Sequence, residues 1–369
     1  MRRLLSAALL GATAALPLSL GAQGVSDASA RLAPQVIQFN VKAPIDKKIT
    51  EFAVPLYVLV PVTDALSFDL GTAWADARVE STDNNGATTT SELSGLTDTQ
   101  IRANYTIGTD FVVLTAGVNL PTGKSTALPD QQEAATRIAS DFLVFPITGF
   151  GTGAGGTGGI AMARPLGDWN VGLGLAMRHS VAYDPFQQAD GSRLHFQPGN
   201  EYRARVGVDR PYGTGRISLG VTYSKFGRDQ ADQSVYNTGD RYITQASITN
   251  SVGNADIELA GWDMFRASGQ LADQTPTGRE NIANAGIAVG FHTAPGIVIQ
   301  PNVEGRVWTQ DGLPASYLTT GGLRLNVDLG GYAITPFAGY TIGTVASSGG
   351  NASLTGFSAS LAIRLGGGY

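Results

Sequence analysis

Along most of this chain apolar and polar residues take turns. From 169 to 179, Trp169, Val171, Leu173, Leu175 and Met177 alternate with Asn170, Gly172, Gly174, Ala176 and Arg178. The same period of two runs through 97–107, 202–209, 297–307, 323–329 and 357–365. It is the signature of a β-strand whose side chains point in turn to two faces. These segments are long, about 10–13 residues, where soluble strands average about 5–6 and a strand crossing a bilayer needs about 9–11. The apolar parity almost never carries a charge, while the other parity carries many. In hydrocarbon every backbone group must find a partner within the protein, so strands cross only as a closed barrel. A charge at mid-depth on the lipid face costs about 2–4 kcal/mol, whereas a lumen face accepts it. The pattern therefore predicts an all-β fold, a transmembrane antiparallel up-and-down β-barrel.

The connectors set the strand number. Short ones fall at 62–64, 108–109, 165–168, 211–213, 294–296 and 330–331. Long polar ones fall between them, at 80–95, 121–150, 181–199, 227–239, 268–280 and 344–354. Such alternation belongs to outer-membrane barrels, with tight periplasmic turns and long outer loops. Fifteen strands can be placed from 50 to 369, and Val36 to Ala43 supplies a sixteenth. The prediction is 14–16 strands with 16 favoured, 14 applying if 36–60 is not two wall strands. Tyr105, Trp169, Tyr202, Tyr223, Tyr242, Tyr332, Tyr340 and Tyr369 sit near strand ends, where interfacial girdles form. Pro301 and Pro336 fall inside predicted strands although proline lacks a ladder donor.

The N-terminus adds the compartment. Arg2 and Arg3 precede an apolar run from Leu4 to Leu20, followed by Gly21, Ala22 and Gln23. This reads as a secretory signal peptide over 1–22, then an N-terminal periplasmic segment over 23–35 and the barrel over 36–369. Elsewhere the longest apolar stretch, 52–62, is short of the ~20 residues of a membrane helix and contains Pro55 and Pro61. Cysteine is absent, which removes disulfides and thiol chemistry. Without 1–22 the 25 basic residues become 23 against 30 acidic ones, so the net charge moves from −5 to −7 and nucleic acid is not an expected partner.

Several motifs look like chemistry and dissolve on inspection. Gly151, Gly153 and Gly156 match G-x-G-x-x-G, but an alternating strand follows in place of a helix. The run 121-PTGKST-126 resembles a phosphate loop, yet Gly117 is one residue too far from Gly123. His179, His195 and His292 are widely spaced and do not form a ligand set, so no metal or other cofactor is expected. No serine stands in a recognisable nucleophile context, so the chain reads as a non-enzyme.

Two groups of side chains remain as candidates. By register Asp98, Arg102, Arg178, Arg203, Arg205, Glu304, Arg306, Arg324 and Asp328 line the lumen, either as a stiffening ion-pair network or as a constriction with a transverse field. In the connector 121–150, Phe142, Leu143, Phe145 and Phe150 are apolar where an outer loop should be polar. They are expected to plug the mouth, to form a greasy entrance for an apolar solute, or both.

The segments 95-GLTDTQIRANY-105, 120-LPTGKS-125 and 151-GTGAGGTGGIAMARPLGDWNVGLG-174 resemble the outer-membrane transporters associated with meta-pathway phenol degradation, relatives of the FadL-type hydrophobic-solute channels. The resemblance covers about 80 residues and the terminal strand; an N-terminal hatch is not evident, and sixteen strands exceed the fourteen usual for that type. It implies passive uptake of small hydrophobic or aromatic molecules across the cell outer membrane. It also implies that Tyr369 is a signal read by the barrel-assembly machinery, with lipid and lipopolysaccharide around the wall. The alternatives are a general porin for small polar solutes and, behind it, an outer-membrane barrel hydrolase.

Overall fold

The computed structural model describes residues 28–42, 46–83, 85–108, 111–271, 273–347 and 350–366. Residues 1–22, expected to be a signal peptide, and Tyr369 lie outside the described residues. Strand accounts for 72% of the chain and helix for 3%, and the strands close into a 16-stranded antiparallel barrel. The sheet contains 18 segments. Two wall strands are each built from two of them. β1 (Ser29–Leu32) and β2 (Gln35–Lys42) follow one another up the same gap, between β3 (Asp46–Pro61) and the last strand, β22 (Gly350–Leu365). β5 (Thr88–Leu96) and β6 (Thr99–Ile107) likewise share the flank of β4 (Leu66–Thr82). The wall then runs through β7 (Val112–Leu120), β8 (Gly155–Leu166), β9 (Trp169–Ser180), β12 (Glu201–Tyr212), β13 (Gly215–Phe226), β16 (Arg241–Val252), β17 (Ala255–Arg266), β18 (Glu280–Ala294), β19 (Ile297–Gln310), β20 (Ser316–Asp328) and β21 (Tyr332–Ser347). Pairing of β1 and β2 with β22 closes it, so no edge is left bare.

The wall's outer surface explains the alternation. Leu173, Leu175, Val206, Leu219, Val221, Leu259, Ile287, Val303, Val307 and Leu323 are among the exposed side chains, and all belong to the apolar parity. Among the described residues nothing covers this belt, as suits a surface that faces hydrocarbon. Its upper limit is visible on β4. Phe52 and Trp74 meet edge to face at 6.0 Å, and the next outward positions are Asp76, Arg78 and Glu80. Arg78 pairs with Glu80 at 2.9 Å, and Lys48 lies 3.7 Å from the same carboxylate. At the opposite rim Arg210 lies 5.7 Å from the Trp169 ring and 3.1 Å from Asp168, the amphipathic chemistry of an interface.

Three expectations need correction. The connectors expected at 80–95 and 344–354 are mostly strand, since β4 and β5 are joined by 83–87 and β21 reaches Ser347. Above the belt the parity reverses: Ala73, Ala75, Ala77, Val79 and Leu93 point inward, and the polar residues point to water. A rule that puts oil outside misreads that stretch as loop. The segment 23–35 is not wholly outside the barrel, because Ser29–Leu32 pairs with both β22 and β3.

The prolines are absorbed one side at a time. Pro301 faces Leu323 on β20, while on β18 the ladder skips from Asn302 to Ile299. Pro336 faces Leu361 on β22, while towards β20 the ladder skips from Phe337 to Ile334. The missing donor thus costs one local opening on one flank.

Leu175→Arg, in the middle of the outer belt, is expected to cost about 2–4 kcal/mol of folding stability in lipid vesicles. The same change at lumen-facing Ser218 should cost well under half of that. Denaturant titration, read by the faster migration of the unboiled barrel on a detergent gel, checks both; equal costs would contradict the assignment of faces.

Candidate functional site

The connector between β7 and β8 enters the barrel. It begins with a turn at 121–128, makes a short 3-10 turn at Pro129–Gln131 and a helix, α1 (Gln132–Ile138), then crosses the lumen as an irregular segment. Ala134 and Ile138 of α1 are fully buried in the same core as Ile49, Ala75, Ala77, Val79 and Leu93 of the tall wall. Glu133 is held by Lys47, and Ser91 Oγ accepts from Ala134 N at 3.1 Å. Further on, Asp141 pairs with Arg266 at 2.6 Å, and Phe142 packs on Trp308 at 6.1 Å while its carbonyl accepts from Arg306 at 2.7 Å. Phe145 meets Phe39 edge to face at 5.5 Å, and Ile147 N donates to the buried Glu51 at 2.9 Å. The loop therefore touches β17–β19 and then β2–β3. Phe142, Leu143, Phe145, Ile147 and Phe150 are 2–7% exposed, so the apolar run is packed away.

Both ends of this loop are tied to one side chain. Asp98 lies in the break between β5 and β6 and is 1% exposed. It accepts from Gly123 N at 3.1 Å, Asn119 Nδ2 at 2.9 Å and Thr152 N at 2.7 Å. Its own N–H donates to Phe150 O at 2.9 Å. Thr122 Oγ1 accepts from Thr99 N at 2.9 Å and donates to Thr97 O at 3.1 Å. A Cβ on Gly123 would come within 2.5 Å of Asp98 N and closer still to Phe150 O, so only glycine fits. The three segments singled out in the sequence thus meet at one knot. The sequence assigns Asp98 to the lumen surface; in the structure it lies beneath the loop.

Over the mouth, β10 (Tyr183–Gln187), β11 (Arg193–Gln197), β14 (Asp229–Ala231) and β15 (Ser234–Tyr236) form a four-stranded cap. The loop joins it through Ala127, which donates to Pro185 O and accepts from Gln187 N. Within the cap Phe196 meets Tyr183 edge to face at 5.7 Å and stacks on Tyr236 at 6.1 Å. Burial, followed by the nearby Asp229 and Tyr183, pushes the Tyr236 phenol up to about 12, so it stays neutral.

The half of the lumen away from the loop is built differently. Inward positions there are small: Thr157, Gly159 and Ala161 on β8, Gly172, Gly174 and Ala176 on β9, Gly207 on β12, and Ser218 and Gly220 on β13. Arginines project from this thin wall. Arg203 pairs with Glu201 at 2.8 Å, Arg241 lies 3.6 Å from Glu201, and Arg216 lies 3.7 Å from Asp209. Arg178 donates to Thr152 Oγ1 at 3.4 Å. Arg205 stands among the glycines. The loop therefore fills one side of the lumen, and the other side is lined by small residues and arginines.

The remaining candidates are spread around the wall. Arg102 pairs with Asp69 at 3.3 Å, which also accepts from Tyr57 and Asn104. Arg306 pairs with Glu304 at 3.1 Å as well as holding the loop. Arg324 donates to Gln300 at 3.3 Å and lies 5.9 Å from the Phe337 ring. Asp328 caps a turn by accepting from Gly330 N at 2.9 Å. Sequence reading missed Glu51 and Glu201, whose depth depends on the loop and the arc, not on the strand period. His292 and Ser251 both bond Asp256, at 2.6 and 2.5 Å. That arrangement has the carboxylate at its centre and gives the serine no base.

No protein family matches the chain by sequence profile, and no curated protein matches it. Solved structures of similar shape include an outer membrane channel from Pseudomonas putida F1, with 16% identity over 74% of this chain and 99% of that one and a TM-score of 0.39. A mutant of TodX, a monoaromatic hydrocarbon channel, matches with 10% identity over 93% and 91% and a TM-score of 0.46. Pseudomonas aeruginosa OccK2, solved with glucuronate, matches with 11% identity over 93% and 100% and a TM-score of 0.44.

Asp98→Ala removes the acceptor for both ends of the loop while leaving the wall ladder intact. The expected result is a folded, heat-shifting barrel whose loop is cut by trypsin at Arg137 at a rate at least roughly tenfold above wild type, since each lost buried bond costs about 1–3 kcal/mol. An unchanged cleavage rate would show that the loop is held by something else.

Proposed function

We propose that this protein is an outer-membrane channel for passive diffusion of small, water-soluble solutes. One observation carries the reading: the inward loop fills one half of the lumen, and the facing wall is lined by glycine, serine, threonine and arginine. Such a surface holds water, and a solute crosses it without losing its hydration. The long-loop rim faces outward and the tight-turn rim faces the periplasm, as is usual for such barrels. The chain's N-terminus is read as an export signal and Tyr369 as the mark recognised by the assembly machinery; lipid and lipopolysaccharide surround the belt.

Uptake of hydrophobic or aromatic solutes, implied by the family resemblance, needs an apolar ladder leading from the loop into the lumen. Phe142, Leu143, Phe145 and Phe150 are spent on the wall, and what they leave for a solute is a few per cent of their surface. The polar pathway is therefore favoured, and the loop is read as the element that sets pore size.

Replacing 142–150 with a glycine–serine linker is expected to raise single-channel conductance and to raise disaccharide flux at least as much as flux of a neutral aromatic. Measurement in planar bilayers and liposomes decides the matter. A selective fall in aromatic flux with sugar flux unchanged would restore the hydrophobic-uptake reading.

A further inference from the structure

We propose that Arg205 is a binding station for the carboxylate of a small monoanionic solute as it passes through the lumen. The inference rests on the channel reading above and adds to it the charge class of the solute.

Arg205 sits near mid-length of β12, facing Gly174 on β9 and Thr222 on β13. It is half-buried, and among the described residues it makes neither an ion pair nor a hydrogen bond. Its neighbours on the arc are engaged: Arg203 and Arg241 with Glu201, Arg216 with Asp209 and Arg178 with Thr152. The wall around it withdraws. A Cβ on Gly220 would lie 3.7 Å from Arg205 Nη2, and one on Gly174 would lie 4.0 Å from Arg205 Cβ, yet both positions are glycine. The guanidinium thus lies on the lumen face over the bare wall at Gly220, with no side chain beside it there to pair with.

An unpaired cation facing a wet lumen is tolerated, but it adds nothing to the wall, where its neighbours are paired. A neutral side chain would spare the barrel its desolvation, and the ionisable groups retained at membrane depth are those that handle a solute or an ion. A guanidinium offers a planar fork that matches a carboxylate with two parallel hydrogen bonds. One unpaired fork takes one carboxylate and neutralises a solute that carries a single negative charge. Glu258 on β17 is exposed and likewise has no counterion among the described residues. β17 lies three strands from β12 along the same side of the barrel, so the two uncompensated charges sit on one stretch of wall, and an anion on that stretch is drawn to Arg205 and kept from Glu258. Arg324, whose hydrogen-bond partner is the neutral Gln300, is another cation with no carboxylate partner among the described residues.

The test compares benzoate with benzamide, which share a shape and differ in charge, using the full-length protein in planar bilayers and liposomes. Wild type should conduct, its KCl current should be blocked by benzoate, and benzoate should enter liposomes faster than benzamide. Arg205→Gln should weaken the benzoate block about tenfold, the loss expected for a charge-assisted bidentate pair in a wet lumen, and leave benzamide flux within about twofold. Arg205→Lys, which keeps the charge and loses the fork, should fall between them. Arg203→Gln, whose guanidinium is already tied to Glu201, should change benzoate block less than Arg205→Gln. A wild-type barrel that migrates as folded and does not conduct overturns the channel reading itself. Conductance with equal benzoate block in wild type and Arg205→Gln leaves the channel standing and overturns the role given to Arg205.

Discussion

The structure depends on one requirement, that no backbone N–H or C=O of the wall be left without a partner inside hydrocarbon. Pairing of β22 with β1 and β2 meets it by removing the last edge. Once the ladder is closed, each strand has an outer and an inner face, and the chain's two parities are separated by solvent. Leu175 and Val303 can be bare because their solvent is oil. The inner face is released from the usual demand for an apolar core, and it can carry glycines and arginines instead. Even the exceptions respect the rule. Pro301 and Pro336 each open the ladder on one flank and keep it on the other, so every strand stays attached.

The strand period and the connector lengths made the barrel legible, because both are local properties enforced everywhere along the wall. Where enforcement changes, legibility fails. On β4 the outward parity carries Trp74 and then Asp76, Arg78 and Glu80, as the solvent changes from lipid to water. Above that line the inward parity becomes the apolar one, since it meets the helix α1 and not a wet lumen. A single pattern rule cannot be right on both sides of Trp74. The break between β5 and β6 was hidden for another reason. Thr97 and Asp98 look like two more residues of an alternating strand, and their role depends on Gly123, Phe150 and Thr152, which are distant in sequence.

The loop illustrates how an apolar run can mislead. Five large apolar side chains in an outer connector look like a surface offered to a ligand. In the structure they supply burial energy to the plug, at the ~25 cal/mol per Å² of apolar area that drives any core. Glu51 and Arg306 accompany them, one accepting from Ile147 N and the other donating to Phe142 O, so that the irregular backbone is satisfied where it has left the ladder. A segment of irregular backbone inside the barrel is tolerated because the protein encloses it and supplies its hydrogen-bond partners.

This division has a consequence for charge. In the loop-filled half, arginines are used for structure: Arg266 holds Asp141, and Arg306 holds a carbonyl and Glu304. In the thin half Arg203 and Arg241 share Glu201, Arg216 meets Asp209 and Arg178 reaches Thr152, while Gly172, Gly174, Gly207 and Gly220 leave no side chain to neutralise Arg205 between them. The first arginine on that arc, Arg203, has its acid in Glu201, which also lies 3.6 Å from Arg241. Arg205, two positions further along the same face, repeats the cation without repeating the acid. Inside a dry core such an omission would be a fault of several kcal/mol. In a water-filled passage it is tolerable, and it creates a standing preference for whatever anion comes by. Small wall residues and the unmatched guanidinium are two aspects of one design, since a bulkier wall would close the passage and a matched arginine would have nothing left to offer.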